Sequence, residues 1–440
     1  MSRSLSIECD PIDQPAANDP VERRTWSALR IRVGGRTVTR MWDKTLREER
    51  SLLYLPAFPI AQWLVENWWT LLNEPSPYAE LPKPSPTHLA WIKRHCLRSA
   101  ESGLLLPALY LFNDGRGIGV EWQADDPDVF KNMPAEFGDS GVDHLDKEST
   151  ADNLAEFVTE ILRRVEELND ERVDQLRVNW RAIRSADVDE ASFCAVVARM
   201  GVDPYDPSQV PDELAAFVEE AVTDPEWPLA RDLTEATQPD WLASQWSWVQ
   251  QTKARWQLGP MTMRALASAD VAELSPSGQG YRLAAIMRER AGLAPSDPVG
   301  CFEDVAHTLA EVPFRSQEEN HVPGSGVRAA VGWNDKREIV VAGPRPQRVS
   351  SLRFLDARGL YHALFACDRS ERLVTDAYTW DQQVSRAFAA EFLAPQAALT
   401  ARTGGRTDHS KVEELANDFG VSPMVIEKQL ENAGVAFVEE

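Results

Sequence analysis

Several things are scarce or missing in this chain. Its cysteines are Cys9, Cys96, Cys194, Cys301 and Cys367, far apart, odd in number and without a CxxC pair. That excludes a structural zinc knuckle or a disulfide framework and points to reduced thiols. No apolar run approaches the ~18 residues that a membrane span needs. The opening stretch, MSRSLSIECDPIDQPAANDP, has no apolar core of signal-peptide length. A cytoplasmic protein that does not enter a membrane is therefore expected. Positive charge is also short: 46 Lys and Arg face 69 Asp and Glu, for a net charge of −23. This argues against broad binding to phosphate backbones and against docking on anionic membranes. Gly115-Arg116-Gly117-Ile118-Gly119 is rich in glycine, but it falls in a predicted hairpin with no helix promptly after it. A dinucleotide loop needs strand, turn and helix in sequence, so a plain turn is the better reading.

What is present suffices for real cores. Hydrophobic residues make up 43% of the chain, and 15 of its residues are Trp. At roughly 100–200 residues per domain, two to four domains are expected. The fold class read from the pattern is α+β multidomain. Residues 1–25, polar and rich in Pro and Asp, read as a flexible lead-in. Residues 26–145 read as a mixed α+β domain of unknown role. Within it, Leu29, Ile31 and Val33 alternate ahead of Gly34-Gly35, which predicts a hairpin. A helix is expected over Pro59–Asn73, and a second hairpin over Leu109–Phe112 and Ile118–Trp122. Residues 146–273 read as a helical adaptor, with one apolar stripe from Leu154 to Leu168 capped by Ser149 or Thr150. LSPSGQG at 274–280 reads as the linker into a last domain, 274–440, with a small sheet and helices.

That last domain reads as helices over Tyr281–Arg290 and Cys301–Ala310, then an extended pair over Val327–Trp333 and Glu338–Ala342. Helices over Ser350–Ala366 and Trp380–Leu393 follow, and two short helices close the chain. The order and four sequence runs together resemble the ImmA/IrrE zinc-metallopeptidase family over residues 275–436. GYRLAAIMRERAGLAPSDPV is similar to the family's opening helix and the step after it. SLRFLDARGLYHALF stands where the family has a run like RFTLAHELGHLLL. RAFAAEFLAPQAAL resembles its FAAELLMP helix end, and KVEELANDFGVSPMVIEKQLENAGV its closing helices.

The resemblance implies a zincin-like fold, a His-Glu-x-x-His helix and an acidic third ligand about one turn before the FAA run. Two His at i and i+4 would face one zinc, and the Glu would activate its water. Here the run is Arg358-Gly359-Leu360-Tyr361-His362. A permanent cation, Arg358, stands in place of the first His, and Gly359 stands in place of the Glu. Only His362 survives. Val384 is the best-aligned position for the third ligand, and Asp381 lies close but out of helical register. The expected function is that of a non-catalytic pseudo-peptidase, a regulatory or partner-binding subunit. The resemblance implies a setting of stress response, toxin–antitoxin systems or phage defence. A protein partner is expected, a small ligand in the old cleft is an alternative occupant, and no cofactor is expected.

Other readings follow from particular residues. A zinc endopeptidase cleaving a repressor would need a site rebuilt from His362 and Asp381, or from His307, His321, His362, Cys367 and Asp368; an enzyme of another kind would carry its chemistry in the N-terminal domain. A transcriptional regulator would use the closing helices, with Gln429 and Asn432 as base readers, although their surroundings are not basic. Trp63, Trp68, Trp69, Trp91 and His95 are candidates for an aromatic cluster, either core or partner groove.

Overall fold

A computed structural model describes residues 4–13, 17–78, 88–221, 227–259, 274–294, 296–320, 326–365 and 370–437. The chain is mixed α+β with several small sheets, and it divides into two compact units, residues 1–212 and 213–440. Among the described residues, no helix is long and apolar enough to cross a membrane.

In the first unit, Trp26–Val33 is the central strand of a small sheet, and its Leu29, Ile31 and Val33 point into the core. Gly34 and Gly35 turn the chain with φ of 56° and 87°. Both values lie in the left-handed region that a tight hairpin turn demands, and Arg36–Thr37 returns antiparallel. The described residues of the stretch 1–25 depart from the flexible lead-in that composition suggests. Leu5–Pro11 pairs with the central strand along its whole length, Leu5 opposite Val33 and Pro11 opposite Ser27. Pro20–Thr25 is a helix whose cap, Asp19, accepts from the Val21 amide at 2.8 Å. The alternation of Leu5, Ile7 and Cys9 is too short, and too close to Asp and Pro, to announce a strand by itself. Its pairing to an already apolar neighbour is what orders it.

The helix expected over 59–73 is broken at Asn67 (φ −112°, ψ 15°) into Phe58–Glu66 and Trp68–Asn73. The second hairpin forms as Ala108–Asn113 with Ile118–Gln123. Lys147–Arg164 is capped by Asp146 rather than by Ser149 or Thr150, the Asp146 carboxylate accepting from the Ser149 amide at 2.8 Å. That helix and Glu171–Ser185 bury Leu154, Phe157, Ile161, Val173 and Trp180 in the first unit's core.

The second unit is built on a four-stranded sheet ordered Phe314–Glu318, Ile339–Gly343, Val327–Trp333, Arg372–Thr375. The first pair is parallel and the others antiparallel. The outer two strands are additions to the pair read from sequence. Helix Val349–Phe365 packs on this sheet and on helix Trp380–Leu393, which in turn packs along Pro276–Arg290. Helix Trp227–Thr234 sits against Arg372–Thr375, and Pro239–Trp256 against Val327–Trp333. The expected boundaries at 145/146 and 273/274 therefore differ from the observed division. Among its described residues the adaptor segment forms no body of its own, because an amphipathic helix must bury its stripe somewhere. Its early helices close the first core, and its later ones lie on the sheet of the second unit.

Candidate functional site

Helix Val349–Phe365 carries Arg358, Gly359 and His362, and helix Trp380–Leu393 carries Val384 and Asp381. Arg358 is only 5% exposed. Its Nε donates to Ser385 Oγ at 3.0 Å, and its Nη2 to Thr375 O at 2.8 Å and Gln382 Oε1 at 2.7 Å. Every one of these acceptors is neutral. Burial, and after it the neighbouring Arg386 guanidinium, disfavour the charged form strongly. A guanidinium nonetheless keeps its proton in proteins, so the cost falls on stability. Gln382 completes the bracket: its Oε1 also accepts from the Thr375 amide at 3.0 Å, and its Nε2 donates to Leu373 O at 2.7 Å. Sequence reasoning gave Gln382 no role, because its value lies in matching the edge of the strand just before its own helix, a pairing with no local sequence signal.

Gly359 sits where the helix meets the sheet. A Cβ placed there would lie 2.4 Å from Val341 Cγ2, a distance no side chain tolerates without displacement. The glycine costs roughly 1 kcal/mol of helix propensity relative to Ala, and close approach to Val341 is what it permits in return.

His362 is 1% exposed, and its Nε2 has no hydrogen-bond partner among the described residues. Burial, then repulsion from Arg372, push its pKa down to about 3. It is thus a neutral imidazole with one unmet nitrogen. Nearby, Asp232 forks Arg372 at 2.8 and 2.9 Å and accepts from the Leu373 amide at 2.9 Å. Burial would raise the Asp232 pKa, but Arg372 holds it below the usual range. Asp381 faces the same guanidinium at 3.4 Å. Neither Asp232 nor Arg372 stands out in the sequence; an ion pair between residues so far apart leaves no local signal.

These residues do not fit a zinc ion. Arg358 cannot ligate, Gly359 has no side chain, and Val384, fully buried, offers only carbon. The Asp381 carboxylate is turned toward Arg372. No group of three or more His, Cys, Asp or Glu suited to a metal occurs among the described residues. His307 is exposed on helix Phe302–Ala310; His321, Cys367 and Asp368 lie outside the described residues.

The other sequence candidates separate cleanly. In the Gly115–Gly119 turn, Asp114 Oδ1 accepts from the Arg116 and Gly117 amides at 2.8 and 2.7 Å. The protein's own carboxylate thus occupies the place an incoming phosphate would take. Gln429 is buried, donating to Glu391 Oε2 at 2.8 Å and Ala394 O at 3.0 Å. Asn432 donates to the Tyr281 hydroxyl at 2.8 Å. The aromatic group is not a single cluster. Trp91 stacks on His95 at 4.6 Å, whereas Trp68 meets Trp180 edge-on at 5.0 Å. Of these residues, only Trp69 lines a cavity of about 570 Å³, shared with Arg94, Ile183 and Tyr205.

No protein-family model matches this chain, and no curated protein matches it.

Proposed function

We propose that this protein is a non-catalytic relative of the ImmA/IrrE metallopeptidases, acting in the cytoplasm as a regulatory, partner-binding subunit. In this reading residues 274–440 retain a zincin-like domain whose old cleft holds a protein segment or a small ligand. The stress-response, toxin–antitoxin or phage-defence setting is proposed from the resemblance alone. The observation that carries the reading is the seat of Arg358. At the position aligned with the first zinc ligand stands a fixed cation, held by Ser385, Thr375 and Gln382. A guanidinium there repels a divalent metal and keeps its charge at any physiological pH. Packing of Gly359 on Val341 adds a second reason: a general base cannot be restored by one substitution.

Metal analysis of the purified full chain, combined with co-purification of its partners, tests this. The expected result is zinc well below one equivalent, unchanged in His362→Ala, together with a stable protein or ligand partner. Stoichiometric zinc that is lost in His362→Ala overturns the proposal in favour of an active endopeptidase.

A further inference from the structure

Beside Arg358 lies a cavity of about 460 Å³ whose walls include Arg328, Arg345, Arg358, Asp376, Phe354 and Leu355. We propose that it binds an organic carboxylate, an anionic head on an apolar body, with Arg358 and Arg345 gripping the head and Phe354 and Leu355 flanking the body. The inference rests on the reading that this cleft has exchanged a metal for a guanidinium, and it names the ligand class such a cleft would take.

The argument starts from charge. Three arginines face one aspartate across the cavity. Arg328 forks Asp376 through Nε at 3.0 Å and through Nη2, so that carboxylate is already neutralised. Arg386, just behind, donates to Ala377 O at 2.8 Å and Thr375 O at 3.1 Å and lies over the Tyr378 ring. Neither Arg358 nor Arg386 hydrogen-bonds a carboxylate among the described residues. A charge buried without an opposite charge is costly, and the cost is recovered when an anion arrives. Arg358 can receive one. Its Nε and Nη2 are bonded, Nη1 makes no hydrogen bond to a described residue, and the side chain lines the cavity. The geometry therefore offers a preorganised donor edge at the end of a pocket.

The ligand body follows from the remaining walls. Phe354 and Leu355 are half-buried, Pro344 and Pro346 border them, and Arg345 is exposed at the rim. Largely apolar walls with a few convergent polar groups suit an organic ligand better than a bare, strongly hydrated inorganic ion. In a chain of net charge −23, a local excess of arginine also concentrates anions there.

Titration of the full chain with benzoate, benzamide and inorganic phosphate, followed by calorimetry and thermal unfolding, tests the proposal. Benzoate is expected to bind and to raise the unfolding temperature. Benzamide, isosteric and neutral, is expected to do neither, and phosphate to bind more weakly than benzoate. Arg358→Gln should abolish benzoate binding. Because that variant removes a buried bracket and can fail to fold, Arg345→Glu at the exposed rim is the second variant. It should unfold as the wild type does while weakening benzoate at least about tenfold, the loss of one charge-assisted contact. Absence of benzoate binding, equal binding of benzamide, tighter binding of phosphate, or a well-folded Arg345→Glu with unaltered affinity would each overturn the proposal. Zinc measured on the same sample separates the two levels. Stoichiometric zinc removes the functional reading itself, whereas zinc-free protein that ignores benzoate removes only this inference.

Discussion

Each of the two units buries a histidine beside an arginine, and the two sites are finished differently. In the first unit His95 is wholly buried, with Nδ1 2.6 Å from Leu111 O and Nε2 2.9 Å from Glu74 Oε2. Arg94 forks the same carboxylate at 2.5 and 2.7 Å. Burial alone would raise the Glu74 pKa, but His95 and Arg94 hold it below the usual carboxylate range. In the second unit Arg358 has only neutral acceptors, and His362 Nε2 has no described partner. A buried polar group whose partners are complete is an element of stability. One left incomplete costs free energy and awaits something. The difference marks the Glu74 network as framework, and it is the reason the ligand proposed above is placed at Arg358 and not there.

The comparison can be broken by substitution. Glu74→Ala strips the carboxylate from beneath two buried groups and should cost about 3–5 kcal/mol. Urea unfolding that shows a loss below about 1 kcal/mol would deny that the first network is structural. The next effects, of comparable size, are pH-dependent. His362 has a folded pKa of about 3 against an ordinary value of 6.5. Its neutral burial therefore contributes stability above pH 6.5 that drains away as pH falls through that value toward 3. The stability advantage of wild type over His362→Gln should shrink by about 3 kcal/mol between pH 7 and pH 4. A pH-independent difference would mean that His362 is not buried in neutral form.

Asp356, two residues before Arg358, titrates in the opposite sense. Burial pushes its pKa up to about 7 from 3.8, and its Oδ1 lacks a described hydrogen-bond partner. Its penalty is absent below pH 4 and grows as pH rises toward 7. Relative to wild type, Asp356→Asn should therefore gain about 4 kcal/mol in stability between pH 4 and pH 8. A thermal scan at the two pH values reads this directly.

Smaller still is Gly359→Ala. The gain in helix propensity is outweighed by the collision with Val341, for a net loss of about 1 kcal/mol. Val341→Ala in the same chain should turn that loss into a gain relative to Val341→Ala alone. Smallest is the surface of the closing helices. Lys428 and Glu431 pair at 2.8 Å in the open, so Lys428→Ala should change stability by less than about 0.5 kcal/mol.

Much of the fold was legible because local pattern and tertiary need coincide. Alternation before Gly34-Gly35 gave the hairpin, and the apolar runs of the last domain gave the helices that carry Arg358 and Val384. The miss at residues 1–25 has a physical cause. Leu5–Pro11 is a strand by virtue of its neighbour, and one sequence does not display its partner. The split at Asn67 was equally hidden, since Pro59–Asn73 keeps helical spacing on both sides of the break. At the candidate site, the residue types at 358, 359 and 362 were readable, but their partners were not. Gln382, Thr375 and Ser385 look ordinary until the strand and the companion helix bring them around a guanidinium.

The sequence by itself determined which chemistry is unavailable at the motif. A side chain's donor set travels with its identity: Arg358 cannot ligate a cation, and Gly359 cannot take a proton. Tertiary structure alone decided what those residues do instead. It sealed Arg358 among neutral acceptors, pressed Gly359 against Val341, and left an arginine-walled cavity open beside them. The reason is that the cost of a buried charge depends on its surroundings, and here those surroundings are assembled from segments far apart in the chain.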